Sequence, residues 1–140
     1  SELNAISDGR ITAFSAGSKP SGQVHPQSLT LLGGLGRDLT SARSKSWDEF
    51  EGENAPVMDA VITVCGPAAA EECPYWPGAP VRSHWGVEDP AAAEKSDWKD
   101  AFETAYAILS RRAAALIALP IETMDASTLK SELDRIGTLP

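Results

Sequence analysis

Two cysteines, Cys65 and Cys73, stand in the segment Val64-Cys65-Gly66-Pro67-Ala68-Ala69-Ala70-Glu71-Glu72-Cys73-Pro74, and they are the only two in the chain. Two thiols this close suit a reversible disulfide. A polymer-entropy argument gives roughly 2.5 kcal/mol for closing so small a ring, so modest strain makes such a bond labile. The plainer alternative is one buried cysteine at a strand end and one ordinary loop cysteine. A zinc site would need His25 and His84 to complete four tetrahedral ligands. Neither Cys-x2-4-Cys nor His-x3-5-His spacing is present, so no metal is expected. His84 reads as a structural histidine and His25 as the residue that opens a helix. Asp89, in front of Pro90, suits an Asx turn.

The thiols must be positioned by Met58-Asp59-Ala60-Val61-Ile62-Thr63-Val64-Cys65, the strongest strand signal in the chain. Its β-branched, nearly continuous apolar character predicts a strand buried on both faces, as in a parallel sheet. Pro67, Pro74, Pro77, Gly78 and Pro80 predict a loop after it. Residues 80–85 then read as a short strand and 86–90 as a second loop. Upstream, residues 1–7 read as the tail of a helix stopped at Asp8-Gly9. Residues 10–16 predict a short strand ended by Gly17 and the turn-rich stretch 18–22. His25-Pro26 opens a helix that runs to the glycines at 33, 34 and 36. Ser46 caps a helical turn through Phe50. Trp98, Phe102, Ala105, Leu109, Arg112, Leu116 and Leu119 recur at helical spacing, which predicts a long amphipathic helix stopped by Pro120. A last helix over 121–136 is closed by Gly137. Trp47, Trp76, Trp85 and Trp98 read as core and loop-pinning residues, and the acidic charges in 48–53 as a solvated face.

Alternating strands and helices define an α/β protein, a three-layer sandwich with a mostly parallel sheet. At 140 residues the expectation is one domain spanning 1–140. The net charge is −8, with twelve scattered Lys and Arg against twenty Asp and Glu, which disfavours nucleic acid and anionic membrane as partners. No run of about 20 apolar residues suits a membrane span. The first residues lack the basic start and apolar stretch of a signal peptide. A cytoplasmic location is expected, where a disulfide is transient rather than structural.

Several segments resemble, in order, those of the thioredoxin-coupled arsenate reductases, a family built on the low-molecular-weight protein tyrosine phosphatase fold. They are Phe14-Ser15-Ala16-Gly17-Ser18-Lys19-Pro20, Arg43-Ser44-Lys45-Ser46-Trp47-Asp48-Glu49-Phe50, Met58-Asp59 with Val61-Ile62-Thr63-Val64-Cys65, Cys73-Pro74 with Trp76-Pro77-Gly78, and His84-Trp85-Gly86 with Asp89-Pro90. The resemblance implies a Cys-x5-Arg loop whose thiolate attacks arsenate, followed by a relay through a second and a third cysteine. By matching position Cys65 is the second and Cys73 the third, and Asp89 is the acid that protonates the departing oxygen. No cofactor is implied; the reductant is thioredoxin, glutaredoxin or a small thiol.

The sequence departs from that pattern in one respect. Six residues after Cys65 stands Glu71, and six after Cys73 stands Ala79, so neither heads a Cys-x5-Arg loop. Thr40-Ser41-Ala42-Arg43-Ser44 has the flavour of an oxyanion loop but no cysteine. In the family the anion loop, the first strand and most of the first helix precede the region matching Ser1. The chain therefore reads as an N-terminally truncated reductase domain, inactive alone, with arsenate as substrate once the loop is supplied. The absent strand would lie between those matching 10–16 and 58–65, so open sheet edges and a homo-oligomer are expected. A non-catalytic thiol–disulfide switch facing thioredoxin is the alternative. A low-molecular-weight tyrosine phosphatase is a further one, disfavoured because Ala91-Ala92-Ala93 follow Pro90 where those phosphatases typically carry tyrosines.

Overall fold

In the computed structural model, which describes residues 2–64 and 78–140, two short parallel strands occupy the centre. β1 (Ala60–Thr63) pairs with β2 (Val81–His84) in a register running from Ala60 opposite Val81 to Thr63 opposite His84. Backbone bonds extend the pairing at both ends: Val81 N–H donates to the Asp59 carbonyl at 3.0 Å, Trp85 N–H to Thr63 at 2.7 Å, and Val87 N–H to Val64 at 2.9 Å. Among the described residues there are four α-helices: α1 (Glu2–Ile6), α2 (Pro26–Gly34), α3 (Trp98–Ile117) and α4 (Ala126–Ile136). Helix α4 packs on β2, while α1 and α2 pack on α3. The architecture is α/β with a small open parallel sheet, consistent with a phosphatase-like fold.

The apolar spacing of α3 does what amphipathicity requires, burying Phe102, Ala105, Ala113 and Leu116 along one stripe. Trp85, Leu116, Leu133 and Ile136 form the core, with Leu3, Ile11, Ala60, Ile62 and Val81 packed around it. Gly137 is needed for closeness rather than for backbone freedom, since its φ of −60° suits any residue. A Cβ there would lie 2.8 Å from Trp85 Cδ1 and 3.0 Å from the His84 carbonyl, so the end of α4 sits directly on the end of β2.

Three sequence expectations are corrected. Residues 10–16 form no strand among the described residues, and the isolated bridge next to them joins Gly17 to Ser46. The ladder positions along one side of this segment are taken by side chains of the preceding residues. Asn4 bonds both main-chain groups of Ala13, at 2.7 and 2.9 Å, and the Ser7 hydroxyl bonds both of Ile11, each at 3.2 Å. The predicted strand 58–65 is shorter, and all four β1 residues are half-buried rather than buried on both faces, because only one strand flanks it among the described residues. The last helix starts later than expected. A 3-10 turn spans Ile121–Thr123, and Asp125 then caps α4 by accepting from Thr128 N–H at 2.7 Å.

Arg10 closes the other end of α3. Its guanidinium donates to the Ile117 carbonyl at 2.6 Å and the Leu119 carbonyl at 2.8 Å, and it forks onto Glu122 at 2.6 and 3.0 Å. A cation is favoured at a helix C-terminus, where carbonyls lack intrahelical partners. The hydrogen bond from Arg10 holds the Glu122 carboxyl down to about 2, from an ordinary value of 4.5. A carboxylate depressed in the folded state adds stability that is fully present above its unfolded pKa and is lost as pH falls through the folded one. For Glu122 that window runs from 4.5 down to about 2. In circular-dichroism melts across this window the wild-type Tm is expected to drop more steeply than that of Glu122→Gln. Equal slopes would show that the pair adds nothing to folding.

Candidate functional site

In open parallel sheets ligands sit beyond the carboxyl ends of the strands, and Thr63, His84 and the loop that leads to Asp89 lie at that end here. Thr63 and His84 lie opposite each other at the end of the pairing. Thr63 Oγ1 and His84 Nδ1 are 2.7 Å apart, a hydrogen bond that ties the strand ends together on the solvent side. One residue on, the Val64 carbonyl accepts from Val87 N–H. Val64 directly precedes Cys65; Cys65 and Cys73 themselves lie outside the described residues.

Asp89 is two residues beyond Val87. Its Oδ1 accepts from Ala91 N–H at 2.9 Å, so it caps the 3-10 turn Pro90–Ala92, while the residue stays exposed at the surface. The Asx-turn role is therefore real, and it is compatible with presenting a carboxyl to the space beyond the sheet. The residue before Cys65 and the loop that leads to Asp89 thus meet at one backbone hydrogen bond, between Val64 and Val87.

His25 is the N-cap of α2, with Nδ1 accepting from Gln27 N–H at 3.1 Å. Its ring meets Trp98 edge-on at 4.6 Å between centroids and lies against Phe102 at 4.7 Å. This histidine locks α2 onto α3 and stands apart from the sheet end.

The segment with an oxyanion-loop flavour is otherwise occupied. Asp38 Oδ1 accepts from both the main-chain N–H and the hydroxyl of Thr40, at 2.9 and 2.8 Å. These bonds hold the Asp38 carboxyl below its ordinary range. Arg43 is engaged twice by Glu49, at 2.9 and 2.7 Å. Arg43, Ser44 and Lys45 line one side of a shallow depression of about 200 Å³ whose other side is Ser15, Ala16, Gly17 and Pro20.

Sequence spacing missed one residue of consequence. Arg112 falls in the apolar stripe of α3, but its guanidinium is buried and donates to the carbonyls of Trp85, Gly86 and Leu139. A cation standing alone in an apolar stripe was the available signal.

The fold and site define an α/β protein with its candidate chemistry beyond the carboxyl edge of a parallel sheet. No protein-family model matches the chain. It is 37% identical over 84 residues to an arsenate reductase of Halalkalibacterium halodurans and 34% identical over 84 residues to one of Bacillus subtilis; each match covers 60% of this chain and 57% of the relative. An arsenate reductase of Staphylococcus xylosus is 30% identical over 86 residues, 61% of this chain and 62% of that protein. Over about 60% of its length the chain is thus similar to curated arsenate reductases, and these matches support a relation to that family. It spans less than two thirds of the length of the curated relatives it matches.

The two roles of Asp89 are separable. Asp89→Ala is expected to lower the unfolding free energy by about 0.5–1 kcal/mol through loss of the cap, whereas Asp89→Asn, which keeps the acceptor oxygen, costs only a few tenths. Urea denaturation measures both, and equal losses would remove the capping role.

Proposed function

We propose that this chain carries the acid and the two relay thiols of an arsenate reductase, as one domain acting in the cytoplasm. The observation that carries the reading is the Val64–Val87 hydrogen bond, which brings the strand end before Cys65 and the loop bearing Asp89 to the same edge of the sheet. The relatives named as arsenate reductases support it.

The 140 residues hold no Cys-x5-Arg, so in this reading the nucleophilic thiolate and its anion loop come from outside them. That thiolate forms a sulfur–arsenic bond with arsenate while Asp89 gives a proton to the departing oxygen, which leaves as water. The Cys65 thiolate then attacks the nucleophile's sulfur. The sulfur–arsenic bond breaks with its electron pair staying on arsenic, which leaves as arsenite. Cys73 attacks Cys65, frees the first thiol and leaves a Cys65–Cys73 disulfide for thioredoxin or a related thiol to reduce. Two electrons pass from two thiols to arsenic, and the balance closes. No step requires a cofactor.

The test compares arsenate-dependent turnover, coupled to a thioredoxin system, for this chain and for a version extended upstream by its own coding sequence. Turnover is expected only in the extended form. Cys65→Ser and Cys73→Ser should abolish it, and Asp89→Asn should lower it by about 10²–10⁴, as for loss of a general acid. Separately, mild oxidation should remove both free thiols with a mass change for one intramolecular disulfide. Two free thiols remaining after oxidation would end the relay reading.

The open sheet edge supports self-association. Asp59, Val61 and Thr63 turn their main-chain groups toward β2, so by the alternation of a parallel ladder those of Ala60 and Ile62 face the other way. Residues 11–16 belong to no strand, and Asn4 and Ser7 bond the main chain of Ile11 and Ala13. Exposed Phe14, Val57 and Val64 add apolar surface. Edges of this kind invite pairing, and a dimer or larger oligomer is expected in light scattering; a clean monomer would rule it out.

A further inference from the structure

We propose that Arg112 is a positioning residue that fixes the Asp89-bearing segment against the strand end at Val64. The residue is 6% exposed. Burying a guanidinium costs several kcal/mol unless its donors are satisfied, and all three of its hydrogen bonds go to main-chain carbonyls. Nη1 reaches the Trp85 carbonyl at 3.0 Å and the Gly86 carbonyl at 3.3 Å, and Nε reaches the Leu139 carbonyl at 3.0 Å.

The Gly86 bond matters most. The peptide unit whose carbonyl faces Arg112 is the one whose N–H, that of Val87, donates to the Val64 carbonyl at 2.9 Å. A cation on the oxygen polarises the unit and strengthens the bond on its nitrogen, as in any hydrogen-bonded chain. Arg112, the 86–87 peptide and Val64 are therefore one connected line, running from the last third of α3 to the residue before Cys65. The two carbonyls of Trp85 and Gly86 also fix the direction in which the chain leaves β2 toward Asp89. A lysine cannot replace this, because a single ammonium on a different stem does not reproduce the planar fork. That the line serves arsenate chemistry rests on the function proposed above; the positional claim does not.

The experiment uses the full 140-residue chain, with Arg10→Lys as a control that alters an arginine fork elsewhere. Amide hydrogen exchange is read by NMR and corrected for the global stability of each variant. Arg112→Lys is expected to speed exchange at Val87 by about tenfold more than Arg10→Lys does. The Cys65–Cys73 equilibrium against glutathione should shift by about threefold or more in Arg112→Lys and stay unchanged in the control. Parallel changes at Val87 in both variants, or an unmoved disulfide equilibrium in Arg112→Lys, would overturn the proposal. Should Arg112→Lys not fold, the wild-type decides: Val87 must exchange within about tenfold of Ser83 in β2, and exchange at the rate of an exposed loop amide overturns the claim. If the wild-type forms no Cys65–Cys73 disulfide at all, the relay reading fails, and the Val87 exchange comparison alone still tests Arg112.

Discussion

Trp85 is held from four directions, and the arrangement of the rest follows from that. Its N–H donates to Thr63, its carbonyl accepts from Arg112, its indole N–H donates to the Leu133 carbonyl at 2.8 Å, and its ring edge meets Gly137. A large aromatic buried in this way contributes area and one directional bond together. Each contact belongs to a different part of the chain: β1, α3, the body of α4 and the end of α4. The tryptophan thereby sets where the sheet ends and how closely two helices approach it. The two strands described here are too few to be stable alone, and this anchor ties them to two helices.

The opposite side of α3 is organised by charge rather than by area. Glu2 accepts from Arg37 through both carboxylate oxygens, at 3.0 and 2.9 Å, and from the Tyr106 hydroxyl at 3.0 Å. Burial pushes its carboxyl up, but the bonds from Arg37, Tyr106 and Ser110 together outweigh that and hold it below its usual value. One carboxylate thus fastens α1 and the stretch after α2 to the same helix that carries Arg112. A five-residue helix such as α1 has little stability of its own, so it is the Glu2 cluster and the packing of Leu3 that keep it in place.

How much of this was legible in the sequence depended on the range of the interactions. Helix α3 was readable because its apolar stripe repeats over many turns, and β1 because Val61, Ile62 and Thr63 are β-branched in an apolar run. The Ser46 cap and the turn at Asp89 were readable because they are local chemistry. Residues 10–16 were misjudged because a strand needs a partner, and which groups Ile11 and Ala13 would bond was decided by Ser7 and Asn4. The start of α4 shifted because Asp125 is a better cap than anything near Ile121. Arg112 hid for the opposite reason: spacing alone places it correctly, yet nothing in spacing reveals that its partners are carbonyls of a loop 26 and 27 residues away.

Parallel pairing also constrains how the chain passes from β1 to β2. Adjacent parallel strands require a connection that returns from the carboxyl end of the first to the amino end of the second. The departure is fixed at Val64 by its bond to Val87. The return is fixed at Gly78, whose φ of +91° only glycine adopts freely, and where a Cβ would lie 2.5 Å from Val57 Cγ1 and 3.2 Å from the Met58 carbonyl. Gly78 lies level with Val57 and Met58, so the two points are separated by roughly the length of a six-residue strand, about 20 Å. The crossover between the strands therefore has to cover that distance before β2 can begin, and the residues on either side of it fix both of its ends: Val64 through one backbone hydrogen bond, Gly78 through a close approach that leaves no room for a side chain.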